Sequence, residues 1–358
     1  MTDTRSSTWG GALLCALAAL LGAAAPVAAR PQYAIGRTLA VPGDGSWDYL
    51  TFEQGGKRLF IAHGDRVEVI DTERLVKVGE IPSTPGVHGI ALAPLLRRGF
   101  ISAGAASTIV VFDLDTLARL AEVHSTGENP DAITYEPVSR RVFAFNGRSD
   151  SATVLDATSN AVVATVPLGG KPEFAVADGH GRVYVNLEDR SSIAVIDAPT
   201  LSLSATWPLA GCERPTGLAL DATAGRLYSV CLNRVMAVTD AKGGASLGTV
   251  PIGGGADAAA YDPTARLAFA ACGAGELTVV AHDARGAAQV VQSLTTQPGA
   301  RTLALDERSH RIYLVTASFG PAPPPGSGRP PILPGSFRLL VLESHREKFT
   351  TSSEERQP

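Results

Sequence analysis

The stretch that decides the fold is Pro130-Asp-Ala-Ile-Thr-Tyr-Glu-Pro137, followed by Arg140-Arg-Val-Phe-Ala144 and Ala152-Thr-Val-Leu-Asp156. Each apolar run is too short for a helix, alternates or is β-branched, and is bounded by turn residues, so the segment reads as strands at Asp131–Tyr135, Arg141–Phe145, Ala152–Asp156 and Val162–Val166. Glu136-Pro137-Val-Ser139 and Asp156-Ala-Thr-Ser-Asn160 supply the tight turns between them.

Working outward, the same unit recurs along the chain. The basic residue followed by an apolar strand appears seven times: Lys57-Arg58-Leu-Phe-Ile61, Arg97-Arg98-Gly-Phe-Ile101, Arg140-Arg141-Val-Phe-Ala144, Gly181-Arg182-Val-Tyr-Val185, Gly225-Arg226-Leu-Tyr-Ser229, Ala265-Arg266-Leu-Ala-Phe269 and His310-Arg311-Ile-Tyr-Leu314. The strand ending in Asp recurs at Asp71, Asp113, Asp156, Asp197 and Asp240, at spacings of 42, 43, 41 and 43 residues. A period near 42 with four strands per unit is the length of a propeller blade and too long for a leucine-rich or β-helical coil. The reading is an all-β, seven-bladed β-propeller with blades over 46–86, 87–129, 130–171, 172–214, 215–255, 256–299 and 300–343. The last copy lacks a fourth strand. Ile35-Gly-Arg-Thr-Leu-Ala-Val41 matches the outer strand of the third copy, and the N-terminal strand is therefore predicted to complete blade seven and close the ring.

Composition agrees with many short strands and turns: of 358 residues, 37 are Gly and 24 Pro, with 45% hydrophobic, 18% charged and 6% aromatic residues. At the N-terminus, Arg5 precedes an apolar run from Ala12 to Ala25 that ends in Ala25-Pro-Val-Ala-Ala29. Residues 1–29 read as a signal peptide cleaved after Ala29, because the run is shorter than the ~20 residues a bilayer core demands. The protein is accordingly expected to be periplasmic or extracellular, without a membrane anchor after cleavage, and monomeric, with the propeller over residues 30–343 and a disordered tail over 344–358. Cleavage removes Asp3 and Arg5 and leaves the net charge at −4, which sets the chain against polyanionic partners.

The repeat, through Pro130-Asp-Ala-Ile-Thr-Tyr-Glu-Pro137, Arg141-Val-Phe-Ala-Phe-Asn146 and Ile193-Ala-Val-Ile-Asp197, resembles the YVTN β-propeller repeat family, and more closely its YncE-like periplasmic branch. Thr316-Ala-Ser-Phe-Gly-Pro321 and Arg329-Pro-Pro-Ile-Leu-Pro-Gly-Ser-Phe-Arg-Leu-Leu-Val-Leu342 look like the last blade of such proteins. The resemblance implies the propeller fold and allows roles in stress, metal uptake or single-stranded DNA binding. Nucleic acid fits poorly with the net charge and with few aromatic residues on the candidate face.

Aligning the seven copies one residue past the Pro130 position brings Asp48, His88, Asp131, Glu173, Thr216, Asp257 and Arg301 to the mouth of the central channel. As a functional ring these would bind a cation, a sugar or another small polar ligand; the plain alternative is a solvated opening. His63 is expected on the same face, where with His88, Asp48 and Asp131 it would make a transition-metal or acid–base cluster. His124, His180, His282 and His310 are expected at the surface. The insertion Phe319–Gly335, rich in Pro, should leave from the ring's face and lid the mouth or dock a protein partner through Phe319 and Arg329. Of the three cysteines after the signal peptide, Cys212 and Cys231 are placed to bridge, with Cys272 the free thiol.

The sequence contains no Gly-x-Ser-x-Gly elbow, no Gly-x-x-x-x-Gly-Lys phosphate loop, no His-Glu-x-x-His and no Cys-x-x-Cys-His. The leading expectation is therefore a binding or protein-interaction scaffold acting through the channel-mouth face. The alternative is a propeller enzyme, a lactonase-type hydrolase or a quinone- or metal-dependent oxidoreductase, using the same histidines and carboxylates with Arg301 holding an anionic group.

Overall fold

A computed structural model describes residues 1–2, 31–323 and 330–345. Residues 3–29 of the proposed signal peptide, Arg329 and the tail beyond His345 lie outside the described residues. Among the described residues, 28 strands form seven four-stranded antiparallel sheets. Six sheets are consecutive in sequence: β2–β5 (Trp47–Ile81), β6–β9 (Val87–His124), β10–β13 (Pro130–Pro167), β14–β17 (Pro172–Pro208), β18–β21 (Pro215–Pro251) and β22–β25 (Ala256–Thr295). The seventh has the order β1-β28-β27-β26, with β1 at Gln32–Ala40, β26 at Leu303–Asp306, β27 at Arg311–Thr316 and β28 at Arg338–His345.

Blade seven is thus closed by the N-terminal strand, in a register running from Gln32 opposite His345 to Ala40 opposite Arg338. The last strand extends two residues into the segment expected as a tail. Pairing β1 with β28 covers the free edge that β28 would otherwise expose. Gln292 of β25 secures it, accepting from the Tyr33 amide at 2.8 Å and donating to its carbonyl at 2.7 Å, while the Tyr33 ring meets Phe269 edge-on at 5.2 Å.

Burial along each blade explains the repeat. The second and third strands, such as β11 (Arg141–Asn146) and β12 (Ser151–Asp156), lie between neighbouring blades and are buried on both faces, so they read as continuous apolar runs. The outer strands, such as β13 (Val162–Pro167), alternate with solvent. The recurring Asp at the end of the third strand is a turn device. Asp156 Oδ1 accepts from the amides of Thr158 and Ser159 at 3.0 and 2.9 Å, and Asp71 does the same for Glu73 and Arg74. At the first position of the basic motif, Arg97, Arg140 and His310 adopt φ of 52°, 55° and 58°, and the two copies that begin with glycine also have positive φ there, 99° at Gly181 and 65° at Gly225.

Adjacent blades are bolted together by groups from these motifs. Arg58 Nη1 donates to Leu114 O at 2.5 Å, Arg98 Nη1 to Ala157 O at 3.0 Å and Tyr184 Oη to Ala241 O at 2.9 Å. His282 and His310, expected at the surface, belong to this set: both are half-buried, His282 Nε2 lies 2.8 Å from Tyr228 Oη and His310 Nδ1 2.6 Å from Asp262 Oδ2. Near the axis the inner strands crowd one another. A methyl at Gly217 would stand 2.6 Å from the backbone of Ala258 and Ala259 in the next blade, which is why that inner strand carries glycine there.

Candidate functional site at the channel mouth

The ring of polar residues arises from a repeated irregularity. In each of the first six blades the inner strand shifts register just after its first paired residue, between Trp47 and Leu50, Val87 and Ile90, Pro130 and Ile133, Pro172 and Ala175, Pro215 and Leu218, and Ala256 and Ala258. Such bulges interrupt the ladder and re-aim the side chains beside them. Carbonyls at the ring positions pair with the neighbouring blade: Ser102 Oγ donates to Asp131 O, Asn186 Nδ2 to Thr216 O at 2.8 Å, and Ala258 N to Arg301 O at 3.1 Å.

Asp48, His88 and Asp131, from three successive blades, converge. His88 Nδ1 lies 2.5 Å from Asp48 Oδ2 and 3.7 Å from Asp131 Oδ1. Arg301 Nε donates to Asp257 Oδ2 at 2.7 Å and its Nη2 to Trp47 O at 3.0 Å, with the guanidinium 5.6 Å from the Trp47 ring centroid. Lys171 Nζ sits 3.2 Å from Glu173 Oε2 and is shared with Glu188.

Carboxylates outnumber cations here, and the protonation equilibria reflect it. Burial, reinforced by the negative charges of Asp131 and Asp257, raises Glu173 well above the usual carboxylate range. Burial likewise raises Asp131, with the Asp48 and Asp257 charges adding to it and His88 opposing. His88 is pushed up to about 9: burial disfavours its charge, but the hydrogen bond to Asp48 and the fields of Asp131 and Asp48 prevail.

The mouth is a cup and not a tunnel. Tyr49 and Phe174, from blades one and four, meet across the axis with ring centroids 4.8 Å apart. Tyr49 is only 6% exposed, and burial together with the charges of Glu173, Asp131, Asp48 and Asp257 raises its phenol well above its ordinary pKa. Sequence reasoning missed this floor. The signal was present: the column after the ring reads Tyr49, Gly89, Ala132, Phe174, Gly217, Ala258 and Thr302, two aromatic rings among small residues. Beneath it, a cavity of about 400 Å³ lined by Leu50, Phe174, Val176, Leu218 and Leu305 opens to the opposite face.

Two expected members are not in the cup. His63 is paired opposite Trp47 and is 0% exposed; its ring stacks on Phe337 at 4.1 Å, and Nδ1 lies 3.2 Å from Arg66 Nη2 and 3.5 Å from Glu68. It belongs to a buried charge cluster in blade one, because strand alternation turns it between blades one and seven, away from the axis. Thr216 is also buried. Its hydroxyl donates to Ala256 O at 2.9 Å, so it ties two inner strands together and does not face a ligand.

The described parts of the insertion, up to residue 323 and from Pro330, reach the same face as the ring. Phe319 bridges Ile332, Leu333 N donates to Ser318 O at 2.9 Å, and Gly335 N donates to Asp44 Oδ1 at 2.9 Å. Phe319 and Pro330 then wall a cavity of about 440 Å³ with Leu232, Pro298, Asp257 and Arg301. Nearby, Cys212 and Cys231 form a disulfide with Cα atoms 5.6 Å apart, and Cys272 is a buried free thiol.

Fold and site together define a seven-bladed β-propeller with a floored, acid-rich cup at one mouth of its channel. No protein-family model and no curated protein matches the sequence. Among solved structures, the fold is similar to Kuenenia stuttgartiensis hydrazine synthase, with a TM-score of 0.68 and 14% identity, covering 76% of this chain and 94% of that one. At that identity the likeness speaks for the propeller fold alone.

Proposed function

We propose that this is an exported binding protein of YVTN type whose recognition face is the channel mouth, taking a small polar or cationic ligand, or a group of a protein partner, into the cup. The observation that carries this reading is the meeting of two compartments at the Asp257–Arg301 pair: the carboxylate-rich cup on one side and the Phe319–Pro330 pocket on the other. A charged centre beside an apolar wall is the composition of a ligand site and not of a merely solvated opening. Export is supported by the N-terminal pattern of residues 1–29 and by a disulfide of the kind oxidising compartments maintain.

The test is to recover the protein from its native host and identify what accompanies it by native mass spectrometry and pull-down, comparing Phe319→Ala and Arg301→Gln. Loss of the bound species in both variants, with folding retained, supports the reading. Retention in both defeats it.

A catalytic reading has one observation in its favour, the raised pKa values of Asp131 and Glu173 beside His88, since a carboxyl that holds its proton near neutrality can act as a general acid. It predicts turnover by the recovered protein of the species it binds, abolished by Asp131→Asn.

A further inference from the structure

We infer that Asp48, His88 and Asp131 form the binding site of one divalent transition-metal ion at the channel mouth. This rests on the reading of that mouth as the recognition face and names what the cup holds. Asp48, His88 and Asp131 each offer one donor atom, and the three donors lie within 4.8 Å of one another. Donors around an ion at bonds of about 2.0–2.2 Å stand roughly 3–3.5 Å apart, so a carboxylate movement of about 1 Å from the 2.5 and 3.7 Å separations admits the ion.

The scaffold around these donors is built to hold them. Each sits beside a bulge at the start of an inner strand, β2, β6 or β10, and the three strands belong to consecutive blades locked by ring closure. A ligating imidazole usually gives its second ring N–H to a neighbouring acceptor, which fixes its orientation. For His88 the neighbouring acceptor is Asn129: His88 Nε2 and Asn129 Oδ1 both border Gly104, where a methyl would stand 2.7 and 2.8 Å from them, so an amide oxygen lies on the Nε2 side of the ring. Nδ1 is thereby left to the carboxylates. Asn129 itself takes φ of 53°, a conformation Asn tolerates better than most residues.

The donor chemistry selects the class of ion. One imidazole with two carboxylates suits Zn²⁺, Mn²⁺, Fe²⁺ or Cu²⁺, whereas Ca²⁺ takes six to eight oxygens. Three protein donors leave coordination positions for water or a ligand atom, and the donors are partly exposed, with side-chain exposures of 21%, 25% and 17% for Asp48, His88 and Asp131. The aromatic floor of Tyr49 and Phe174 closes the site from below.

The experiment uses the full chain without added histidines, stripped with chelator, then titrated with Zn²⁺ and Cu²⁺ and, as all-oxygen controls, Mg²⁺ and Ca²⁺. One equivalent of Zn²⁺ or Cu²⁺ per chain is expected, weakened at least ~100-fold in His88→Gln and Asp131→Asn, and about 10- to 100-fold in the positioning variant Asn129→Ala. His180→Gln, on an exposed turn, should bind as the wild type does. Bound Cu²⁺ should show electron paramagnetic coupling to one imidazole nitrogen, absent from His88→Gln; circular dichroism of the stripped variants checks their folding, and the wild-type spectrum stands without them. Absence of stoichiometric metal, equal binding of Ca²⁺, or nitrogen coupling that survives His88→Gln overturns the inference. Metal bound as described while Phe319→Ala and Arg301→Gln retain the native partner would instead defeat the recognition reading and leave the metal site standing.

Discussion

Replacing Asp48 by Asn tests the electrostatics of the cup at its tightest contact. His88 starts from an ordinary pKa of 6.5 and reaches about 9 although burial works against its charge. At ~1.4 kcal/mol for each factor of ten, the rise corresponds to about 3 kcal/mol, the margin by which Asp48 and Asp131, with a smaller part from Asn129, exceed the cost of burial. Asp48→Asn removes the carboxylate 2.5 Å from Nδ1, while Asp131 at 3.7 Å remains. The His88 pKa should therefore fall by at least one unit, with burial left to pull it further towards 6.5.

The assay is a pH titration of metal-free protein with isotope-labelled histidine, followed by nuclear magnetic resonance from pH 5 to 10, with His88 assigned by its absence from His88→Gln. The linkage has a definite sign. A group whose folded pKa is raised stabilises fully below its unfolded value, and that stabilisation is lost as pH rises through about 9. Asp131 and Glu173, raised to about 7 and about 8, act in the same sense, because the native state holds their protons where the unfolded chain has released them. The wild type should thus lose stability in urea between pH 5 and pH 9, and the pH dependence should be shallower in Asp131→Asn. A wild-type His88 that titrates at or below 6.5, or one that ignores Asp48→Asn, would refute this account.

Three further outcomes follow from the fold. Reduction of Cys212–Cys231, or replacement of both by Ser, should lower stability by about 3 kcal/mol for a 19-residue loop, measured by urea unfolding with and without reductant, while Cys272 stays unreactive to thiol reagents until the ring opens. Tyr49→Ala should cost about 3–5 kcal/mol and connect the cup to the cavity below, seen as a lower melting temperature and density for ordered water on the axis in a crystal structure. Gly217→Ala should destabilise by about 1–3 kcal/mol in thermal unfolding, since the added methyl meets backbone and not a movable side chain.

Much of the architecture was legible because each blade repeats the same physical problem. Two strands buried on both faces require continuous apolar runs, and tight turns require Asp and residues tolerant of positive φ; Asp71, Asp113, Asp156, Asp197 and Asp240 therefore mark the period. The closing strand was legible for the same reason, as Ile35–Val41 carries the pattern of an outer strand with no blade of its own. Strand alternation also brought Asp48, His88, Asp131, Glu173, Asp257 and Arg301 to the mouth. It failed for His63, whose facing depends on pairing with Trp47, and for Thr216, whose hydroxyl finds a carbonyl in the next blade.

The sequence by itself determined the number of blades and the closure of the ring, since these depend on local period and on residue types that each strand and turn demands. Only the tertiary structure decided that Tyr49 and Phe174 meet across the axis and that Phe319 and Pro330 wall a pocket beside Arg301. Those contacts join residues from different blades or loops, and no local pattern encodes them. They come into being when the ring closes and fixes what stands opposite what.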